Sequence, residues 1–366
     1  MKPLELLDVQ YQPSAQTIKY MGSKRKIASH ILAMIEETGV KTVFDGFSGS
    51  TFVSQYMANS GYTVHSSDIA IWSKVMGECF LMSKKPTSTY VSKIKHLNSL
   101  EPIAGWFTEN YGGDATKIMG KKPWQLANTM KLDAIRKEID VISEDEDDKN
   151  VLLASLILAL DKVDNTLGHY AAYLSKWSPR SSHSMVLELP EFALNRGTHQ
   201  VSMGDIFDTV VLNNSELAYF DPPYGSNNEL MPPSRVRYNA YYHLWKTICL
   251  NDEPDTFGVN GRREDSRDAS SSVFEEFRQD EDGNFLAIKA IEKLIKLAPN
   301  EIVIFSYSSG GRATKEQLLQ IFSDNSKEVK ILEISHNHNV MKNMSSTKEF
   351  LRDQSGHKEF LIKLTR

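Results

Sequence analysis

Residues 41–68 carry the pattern that most restricts how this chain can fold. "KTVFDGFSGS" (41–50) is a short apolar run that breaks into glycine and serine, and "TFVSQYMANSG" (51–61) is helix-like and ends at glycine. "YTVHSSD" (62–68) is then a β-prone run that ends in an acid. A strand, a loop of small residues, a helix and a second strand in this order begin a doubly wound α/β sheet. We therefore predict an open, mostly parallel sheet.

The same alternation returns in the second half of the chain. Strands are predicted for "LAYFD" (217–221), "EIVIFSYSS" (301–309), "KEVKILEIS" (327–335) and "HKEFLIKL" (357–364), and helices for 285–297 and 315–322. Between the two halves the rhythm breaks into helix-like stretches at 126–141 and 151–167. We therefore predict a sheet domain formed by residues 15–85 and 197–366, with a helical insertion at 86–196. A secondary, DNA-facing insertion or loop is predicted at 226–284, and its acidic part (251–283) is either a mobile surface loop or a second, smaller insertion.

Composition restricts the class of protein more than its function. Of the 366 residues, 40% are hydrophobic and 24% are charged, as in ordinary globular proteins. No run of about 18 apolar residues occurs, and the two cysteines are too few for a disulfide framework or a zinc cluster. We expect a cytoplasmic protein without a membrane span or a bound metal. The net charge of −5 does not exclude nucleic acid, because positive side chains cluster at 19–26, 176–196 and 235–246.

The glycine loop and the acid after it indicate a nucleoside-containing ligand. The loop lacks both the G-x-G-x-x-G pattern and the phosphate-binding G-x-x-x-x-G-K pattern, so alone it is equally compatible with an ordinary strand–helix turn. Asp68 follows at a spacing of about 20 residues, where an acid can bond ribose hydroxyls or cap a helix. Together the two features favour an adenosyl cofactor at the carboxyl ends of the strands.

"DPPY" (221–224) stands directly after a predicted buried strand. Its two prolines have no N–H, so the turn offers only acceptors, namely the Asp221 carboxylate and the carbonyls near Pro222. Tyr224 adds a flat ring that can stack on a base. Acceptors that grip an amino group beside a stacking ring suit the exocyclic amine of a flipped-out nucleobase. A rigid turn without chemistry is the alternative. S-adenosylmethionine is the fitting methyl donor, because its sulfonium needs no metal for activation.

These segments and their order resemble the alpha-class DNA adenine-N6 methyltransferases, the amino-methyltransferase family related to Dam. The resemblance lies in "KYMGSK" (19–24), "FSGST" (47–51), the insertion, and "DPPY" (221–224). It implies a Rossmann-like S-adenosylmethionine-dependent methyltransferase sheet with a helical target-recognition insertion. It further implies site-specific methylation of adenine N6 in double-stranded DNA, as part of a restriction system with a cognate restriction endonuclease. We expect the protein to act as a monomer.

The resemblance also assigns roles to single residues. It implies that the catalytic residues are Asp221, Pro222 and Tyr224. It implies that the cofactor-binding residues are Tyr20, Lys24, Asp45, Phe47, Gly49, Asp68, Asp205 and Asp221. Two departures from the family pattern occur. Thr51 stands where the family often has a second glycine, and "KYMGSK" replaces an aromatic–small–Gly–Gly–Lys pattern.

DNA contacts and the identity of the amine remain open at this point. Lys176, Arg180, Arg235 and Arg237 are predicted DNA-binding residues, because their side chains suit phosphates and base edges. "MPPSRVRYNAYYHLW" (231–245), just past "DPPY", is a further candidate for gripping DNA or closing over the flipped base. The alternatives are methylation of RNA adenine, cytosine N4 or a protein glutamine, and a non-catalytic fold that only binds nucleic acid. Asp at the start of the motif favours adenine, and the large insertion favours DNA.

Overall fold

The computed structural model of the chain describes residues 13–116, 122–225, 238–267, 272–335 and 358–366. The helices run Ala28–Glu36 (α1), Phe52–Asn59 (α2), Ile71–Gly77 (α3), Thr87–Asn98 (α4), Trp106–Tyr111 (α5), Leu126–Ile142 (α6), Glu146–Lys162 (α7), Ile206–Leu212 (α8), Tyr238–Tyr241 (α9), His243–Leu250 (α10), Leu286–Leu297 (α11) and Lys315–Asp324 (α12). The strands run Thr42–Asp45 (β1), Thr63–Asp68 (β2), Gly112–Gly113 (β3), Trp124–Gln125 (β4), Gln200–Met203 (β5), Leu217–Phe220 (β6), Thr256–Phe257 (β7), Arg262–Arg263 (β8), Ile302–Ser308 (β9), Glu328–Ser335 (β10) and Lys358–Thr365 (β11).

Seven of these strands form one sheet in the order β10-β11-β9-β6-β1-β2-β5. Neighbouring strands from β9 to β5 pair in parallel, whereas β11 runs antiparallel to both of its neighbours. This topology confirms the predicted α/β class with a mostly parallel sheet. The strand order reverses between β1 and β6, since β1 continues to β2 on one side and β6 to β9 on the other. Open sheets bind ligands at the carboxyl ends of the strands beside such a reversal.

Alternate residues of the central strands bury their side chains on opposite faces of the sheet. Val43 and Tyr219 join a hydrophobic cluster with α1, α2 and α3. Phe44 and Phe220 join a second cluster with α11 and α12. All four residues of β6 are buried, which is why its sequence is a continuous apolar run without polar alternation.

The helical segment packs directly on the sheet domain. Residues along α7 are buried in the same hydrophobic cluster as α1–α3. We predicted a helix at 151–167, but α7 begins at Glu146, because Asp145 caps it by accepting a hydrogen bond from the Asp148 N–H. Acidic residues in the first turn also suit the helix dipole. The acidic run at 144–148 is therefore a helix start. Within the described ranges, no helix combines the length and apolar character needed to cross a bilayer.

The described residues of 251–283 contain short elements of regular secondary structure. β7 and β8 pair as a short antiparallel ladder. Arg263 is buried and its guanidinium bonds Asp252 at 2.7 Å and Asp265 at 3.1 Å. A short helical turn at 273–275 buries Phe274 against Phe47, with ring centroids 5.3 Å apart. The acidic side chains of this segment therefore serve in part to neutralise a buried arginine.

Candidate active site

A cavity of about 600 Å³ opens at the carboxyl ends of β1, β2 and β6. Its volume lies in the range of about 300–1,000 Å³ that is usual for small-molecule sites. Seven of the predicted site residues line it, namely Tyr20, Phe47, Asp68, Asp205, Asp221, Pro222 and Tyr224. Lys24, Asp45 and Gly49 lie behind this lining. The topology thus gathers residues from five separate segments around one space.

Asp221 follows β6 and is paired with Lys24 of the first segment. The Lys24 ammonium lies 2.9 Å from Asp221 Oδ1 and donates to the Tyr224 hydroxyl at 3.0 Å. It also donates to the Gly22 carbonyl at 3.2 Å. The Lys24 side chain is only 5% exposed, whereas that of Asp221 is 18% exposed. The cation therefore braces the turn from behind, and the carboxylate faces the cavity.

Glu359 is a member of this cluster that the sequence interpretation missed. Its Oε1 atom lies 3.0 Å from the Lys24 ammonium and accepts a hydrogen bond from Ser306 Oγ at 2.8 Å. The residue lies in β11, whose central positions are all buried. A charged residue beside an apolar strand is common at strand ends, so the sequence carried no usable signal for it.

Burial and charge act in opposite directions on this cluster. Burial raises the pKa of Asp221 to about 7, with Lys24 lowering it and Glu359 raising it further. Burial alone would lower the pKa of Lys24, but the carboxylates of Asp221 and Glu359 raise that pKa well above its usual value. Lys24 is therefore a permanent cation at physiological pH. With its pKa raised to about 7, Asp221 is partly protonated at neutral pH and is a strong acceptor once ionised.

The turn after Asp221 is held by backbone and ring contacts. The Arg312 N–H donates to the Tyr224 carbonyl at 3.0 Å. The Tyr224 ring packs against Tyr307, with centroids 5.1 Å apart. Gly225 follows with φ +57°, a left-handed conformation in which a Cβ would lie 2.8 Å from the Arg312 side chain. The turn is thereby fixed on β9 and the segment after it.

Asp68 organises the glycine loop. Its two carboxylate oxygens accept hydrogen bonds from the N–H groups of Gly49 and Ala70, each at 2.8 Å. The sequence left a ribose ligand and a helix cap as alternatives for this acid. In the structure Asp68 lies on the cavity wall and binds two backbone N–H groups, but it is not a helix cap, since Ala70 is the N-cap residue of α3. A carboxylate has about four acceptor sites, so two backbone bonds leave capacity for hydroxyl groups.

Gly49 and Thr51 have unusual backbone conformations. Gly49 has φ +48°, and a Cβ there would meet the Tyr20 hydroxyl at 2.9 Å. Thr51, which departs from the family pattern, is left-handed at φ +59°. Its hydroxyl donates to the Ser50 carbonyl at 2.8 Å and accepts from Gln55 at 3.0 Å. These hydrogen bonds offset the backbone strain of a left-handed threonine, a strain that a glycine at this position would not have.

Asp45 lies beneath the loop. One of its oxygens accepts a hydrogen bond from Ser54 Oγ at 2.6 Å, and the residue is 1% exposed. Burial raises its pKa to about 7. Through its hydrogen bond to Ser54, Asp45 connects α2 to the end of β1, and it does not line the cavity.

Aromatic side chains form one wall of the cavity. Tyr20 stacks on Tyr242 with ring centroids 4.8 Å apart and lies 5.9 Å from Trp72 and 5.6 Å from Tyr238. The Tyr242 hydroxyl accepts a hydrogen bond from the Met21 N–H at 2.7 Å. Tyr238 and Tyr242, in the described part of the 231–245 segment, thus line the cavity beside Tyr20. A role for this segment in gripping DNA or closing over the flipped base stays a prediction.

Of the four predicted DNA-binding residues, the structure describes Lys176 and Arg180, and neither lines the cavity. Lys176 is exposed. Arg180 pairs through Nε with Asp164 Oδ1 at 2.9 Å, so part of its guanidinium is used within the chain. Arg235 and Arg237 lie outside the described residues. No group of three or more His, Cys, Asp or Glu side chains in the described ranges is arranged to hold a metal.

Comparison with known proteins identifies relatives for most of the chain. The sequence model of the D12 class N6 adenine-specific DNA methyltransferases matches residues 20–295. The chain is 26% identical over 357 residues to the modification methylase StsI of Streptococcus sanguinis, a match of 91% of this chain and 50% of that protein. It is 25% identical over 315 residues to the type II methyltransferase M.NlaIII of Neisseria lactamica, a match of 83% of this chain and 87% of that protein.

A third relative is the modification methylase LlaI of Lactococcus lactis subsp. lactis, 30% identical over 267 residues. That match covers 67% of this chain and 40% of the relative. The chain thus spans half or less of the Streptococcus and Lactococcus proteins but most of the Neisseria protein.

Proposed function

Because the chain belongs to the D12 class N6 adenine-specific DNA methyltransferases, we propose that it transfers a methyl group to N6 of an adenine flipped out of duplex DNA. The observation that carries this proposal is the acceptor-only turn at Asp221 and Pro222, which borders a cavity and is braced by the buried cation of Lys24. An amine is the group that such a turn grips best, since the turn offers it no competing donor.

S-adenosylmethionine fits the cavity as the methyl donor, which is consumed as a substrate. The cavity is large enough for it, and Asp68 presents a carboxylate to the space where ribose hydroxyls would lie. Phe47 and Asp205 border the same cavity and would hold the adenine ring, while Tyr20 would lie beside the cationic sulfur. The close approach of Tyr20 to Gly49 supports this fit, because a larger residue at 49 would push the ring into the cavity.

The residues of the turn prepare the amine for attack. Asp221 and the carbonyl of Pro222 accept the two N6 hydrogens, which draws the nitrogen towards tetrahedral geometry and frees its lone pair. The donor supplies an activated methyl: a nitrogen–carbon bond forms as the carbon–sulfur bond breaks, and the electron pair stays on sulfur. The nitrogen then loses one proton, which the Asp221 carboxylate accepts and passes to water. Tyr224 stacks on the base during these events.

Partners and biological setting follow the family and the names of the relatives. We propose double-stranded DNA as the substrate, a setting in restriction–modification with a cognate endonuclease, and action as a monomer. Lys176, Arg180, Arg235 and Arg237 remain the proposed DNA contacts, and 86–196 the proposed target-recognition insertion. Phosphate contacts of this kind predict that DNA affinity falls steeply as salt is raised.

The test is methyl transfer from labelled S-adenosylmethionine to duplex DNA, single-stranded DNA, RNA and protein. The products are digested and the modified base is identified by mass spectrometry, with Asp221→Ala as the inactive control. We expect N6-methyladenine in duplex DNA at a specific sequence. Label in cytosine N4, in RNA alone or in protein would contradict the proposed function.

Asp68→Ala is expected to lower the affinity for S-adenosylmethionine. Asp68→Ala removes the acceptor for ribose hydroxyls and frees the Gly49 and Ala70 N–H groups. Hydrogen bonds to a charged group contribute about 1.5–3 kcal/mol each, so we expect affinity for the donor to fall on the order of 100-fold. Isothermal titration calorimetry measures it, with Asp324→Ala at the exposed end of α12 as the control. An unchanged affinity would place the ribose elsewhere.

A further inference from the structure

Lys24 is shared by two carboxylates, although one would neutralise it. Asp221 Oδ1 lies 2.9 Å and Glu359 Oε1 3.0 Å from the same ammonium. Glu359 lies in β11, beyond residues 20–295, which the family model matches. The cluster therefore carries a net charge of −1 in its ionised form. This excess charge is not needed to satisfy the lysine.

A second buried carboxylate lowers the stability of the folded protein unless other interactions compensate its desolvation. Glu359 is 5% exposed, and removing a carboxylate from water without full compensation costs several kcal/mol. Its position is nevertheless tightly defined. β11 is paired on both sides along its length, and Ser306 Oγ of β9 fixes Oε1 at 2.8 Å. A group that is expensive to bury and held this firmly points to a role at the site.

We propose that Glu359 is a positioning residue for methyl transfer. It binds the Lys24 ammonium and partly neutralises its positive charge, so that the Asp221 carboxylate remains a strong acceptor for the substrate amine. This inference rests on the proposed function. Glu359 does not touch the substrate in this arrangement. It acts on Asp221 through Lys24, which bonds both carboxylates and the Tyr224 hydroxyl.

The sign of the effect follows from the charges. Glu359 opposes the lowering of the Asp221 pKa by Lys24. Without the negative charge of Glu359, Lys24 would be matched by Asp221 alone. The pKa of Asp221 would fall, and its oxygen would be a weaker acceptor. The other titratable groups near Asp221 are unchanged in such a variant: Tyr20, Asp45, Asp68, Tyr219, Tyr224 and Tyr238.

The test is Glu359→Gln, which keeps shape and hydrogen bonding but removes the charge. Single-turnover methyl transfer is measured from pH 5.5 to pH 9 with saturating donor and duplex DNA. In the wild type we expect the rate to fall as pH drops through about 7, where Asp221 protonates. In the variant we expect a plateau about 10-fold lower and an acid limb displaced by about one pH unit to lower pH. Donor affinity should change by less than about 3-fold.

Glu333→Gln is the matched control, because Glu333 lies on neighbouring β10 and bonds Lys358 in a more exposed ion pair. It should leave rate and pH profile unchanged. The proposal is overturned if Glu359→Gln keeps the wild-type rate and the wild-type acid limb of the pH–rate profile. It is also overturned if the rate and the stability fall while the acid limb stays at the wild-type pH. Should that variant not fold, Glu359→Asp carries the test. Its retained charge predicts an unmoved limb with a rate about 3-fold lower, and a wild-type rate would overturn the proposal.

These outcomes are separable from failure of the proposed function. If the wild type makes no N6-methyladenine in duplex DNA, the proposed function fails before any variant is compared. If the wild type methylates adenine and Glu359→Gln behaves like Glu333→Gln, only the role of Glu359 fails.

Discussion

Asp221→Asn is expected to reduce the single-turnover rate of methyl transfer by a factor of about 10³ while the protein stays folded. The amide has nearly the same shape, but it exchanges one acceptor oxygen for a donor NH₂ and removes the negative charge. An amino group of the substrate then meets a donor where it needs an acceptor. The rate is measured in the assay for N6-methyladenine, and donor affinity by calorimetry should stay within about 10-fold.

The folded state should tolerate this change. Because burial raises the folded-state pKa of Asp221 to about 7, above the value in the unfolded chain, the ionised carboxyl disfavours folding at pH 8 and is not needed for stability there. Lys24 retains Glu359 and the Gly22 carbonyl as partners. Asp324→Asn, the same substitution at the exposed end of α12, is the control. A rate for Asp221→Asn within about 10-fold of wild type would contradict the assigned role of the turn.

Lys24→Met should produce the largest loss of stability among the site variants. Removing one partner of a buried ion pair leaves the other charge uncompensated, which typically costs about 3–5 kcal/mol. Here two carboxylates, Asp221 and Glu359, lose their shared cation. We expect a reduction of this size in the free energy of unfolding, measured by urea titration at pH 8, together with loss of methyl transfer.

The pH dependence of this loss distinguishes charge from packing. Burial raises the folded-state pKa of Asp221 above its value in the unfolded chain, and the loss of Lys24 removes the charge that lowers it. The loss of stability should therefore be full above neutral pH and shrink as acid protonates Asp221. Lys24→Met combined with Glu359→Gln should recover part of the stability. Lys26→Met, at an exposed neighbouring position, is the control. A loss below about 1 kcal/mol at pH 8 would show that the cluster is not held by charge.

Local patterns in the sequence predicted the sheet and the centre of the site. β1 and β6 are short apolar runs and β2 is a β-prone run that ends in an acid. These patterns allowed the three strands and the residues at their carboxyl ends to be placed without a structure. Parallel strands end at the same edge, which is why Asp68 and Asp221 were expected to lie near one cavity. The chemistry of "DPPY" was also local, because proline removes donors whatever surrounds it.

Long-range contacts could not be predicted in this way. Nothing in "HKEFLIKL" indicates that Glu359 meets Lys24, because that contact depends on β11 running antiparallel beside β9. The stacking of Tyr242, the N-cap residue of α10, on Tyr20 likewise joins two residues far apart in the chain, and no local pattern indicates it. The left-handed backbone conformation of Thr51 could not be predicted from the sequence either, because such a conformation usually requires glycine. Here the hydrogen bonds of Thr51 with Ser50 and Gln55 stabilise it.

The contact between Lys24 and Glu359 has a consequence for how the protein is made. A ribosome delivers Lys24 and its loop first, then Asp221, and the strand with Glu359 last of the described elements. β11 must enter between β9 and β10, so the sheet cannot be completed while that strand is still in the exit tunnel. Lys24 and Asp221 are therefore synthesised before their third partner. The complete ion cluster can form only when β11 has inserted between β9 and β10, so its assembly is coupled to closure of this part of the sheet.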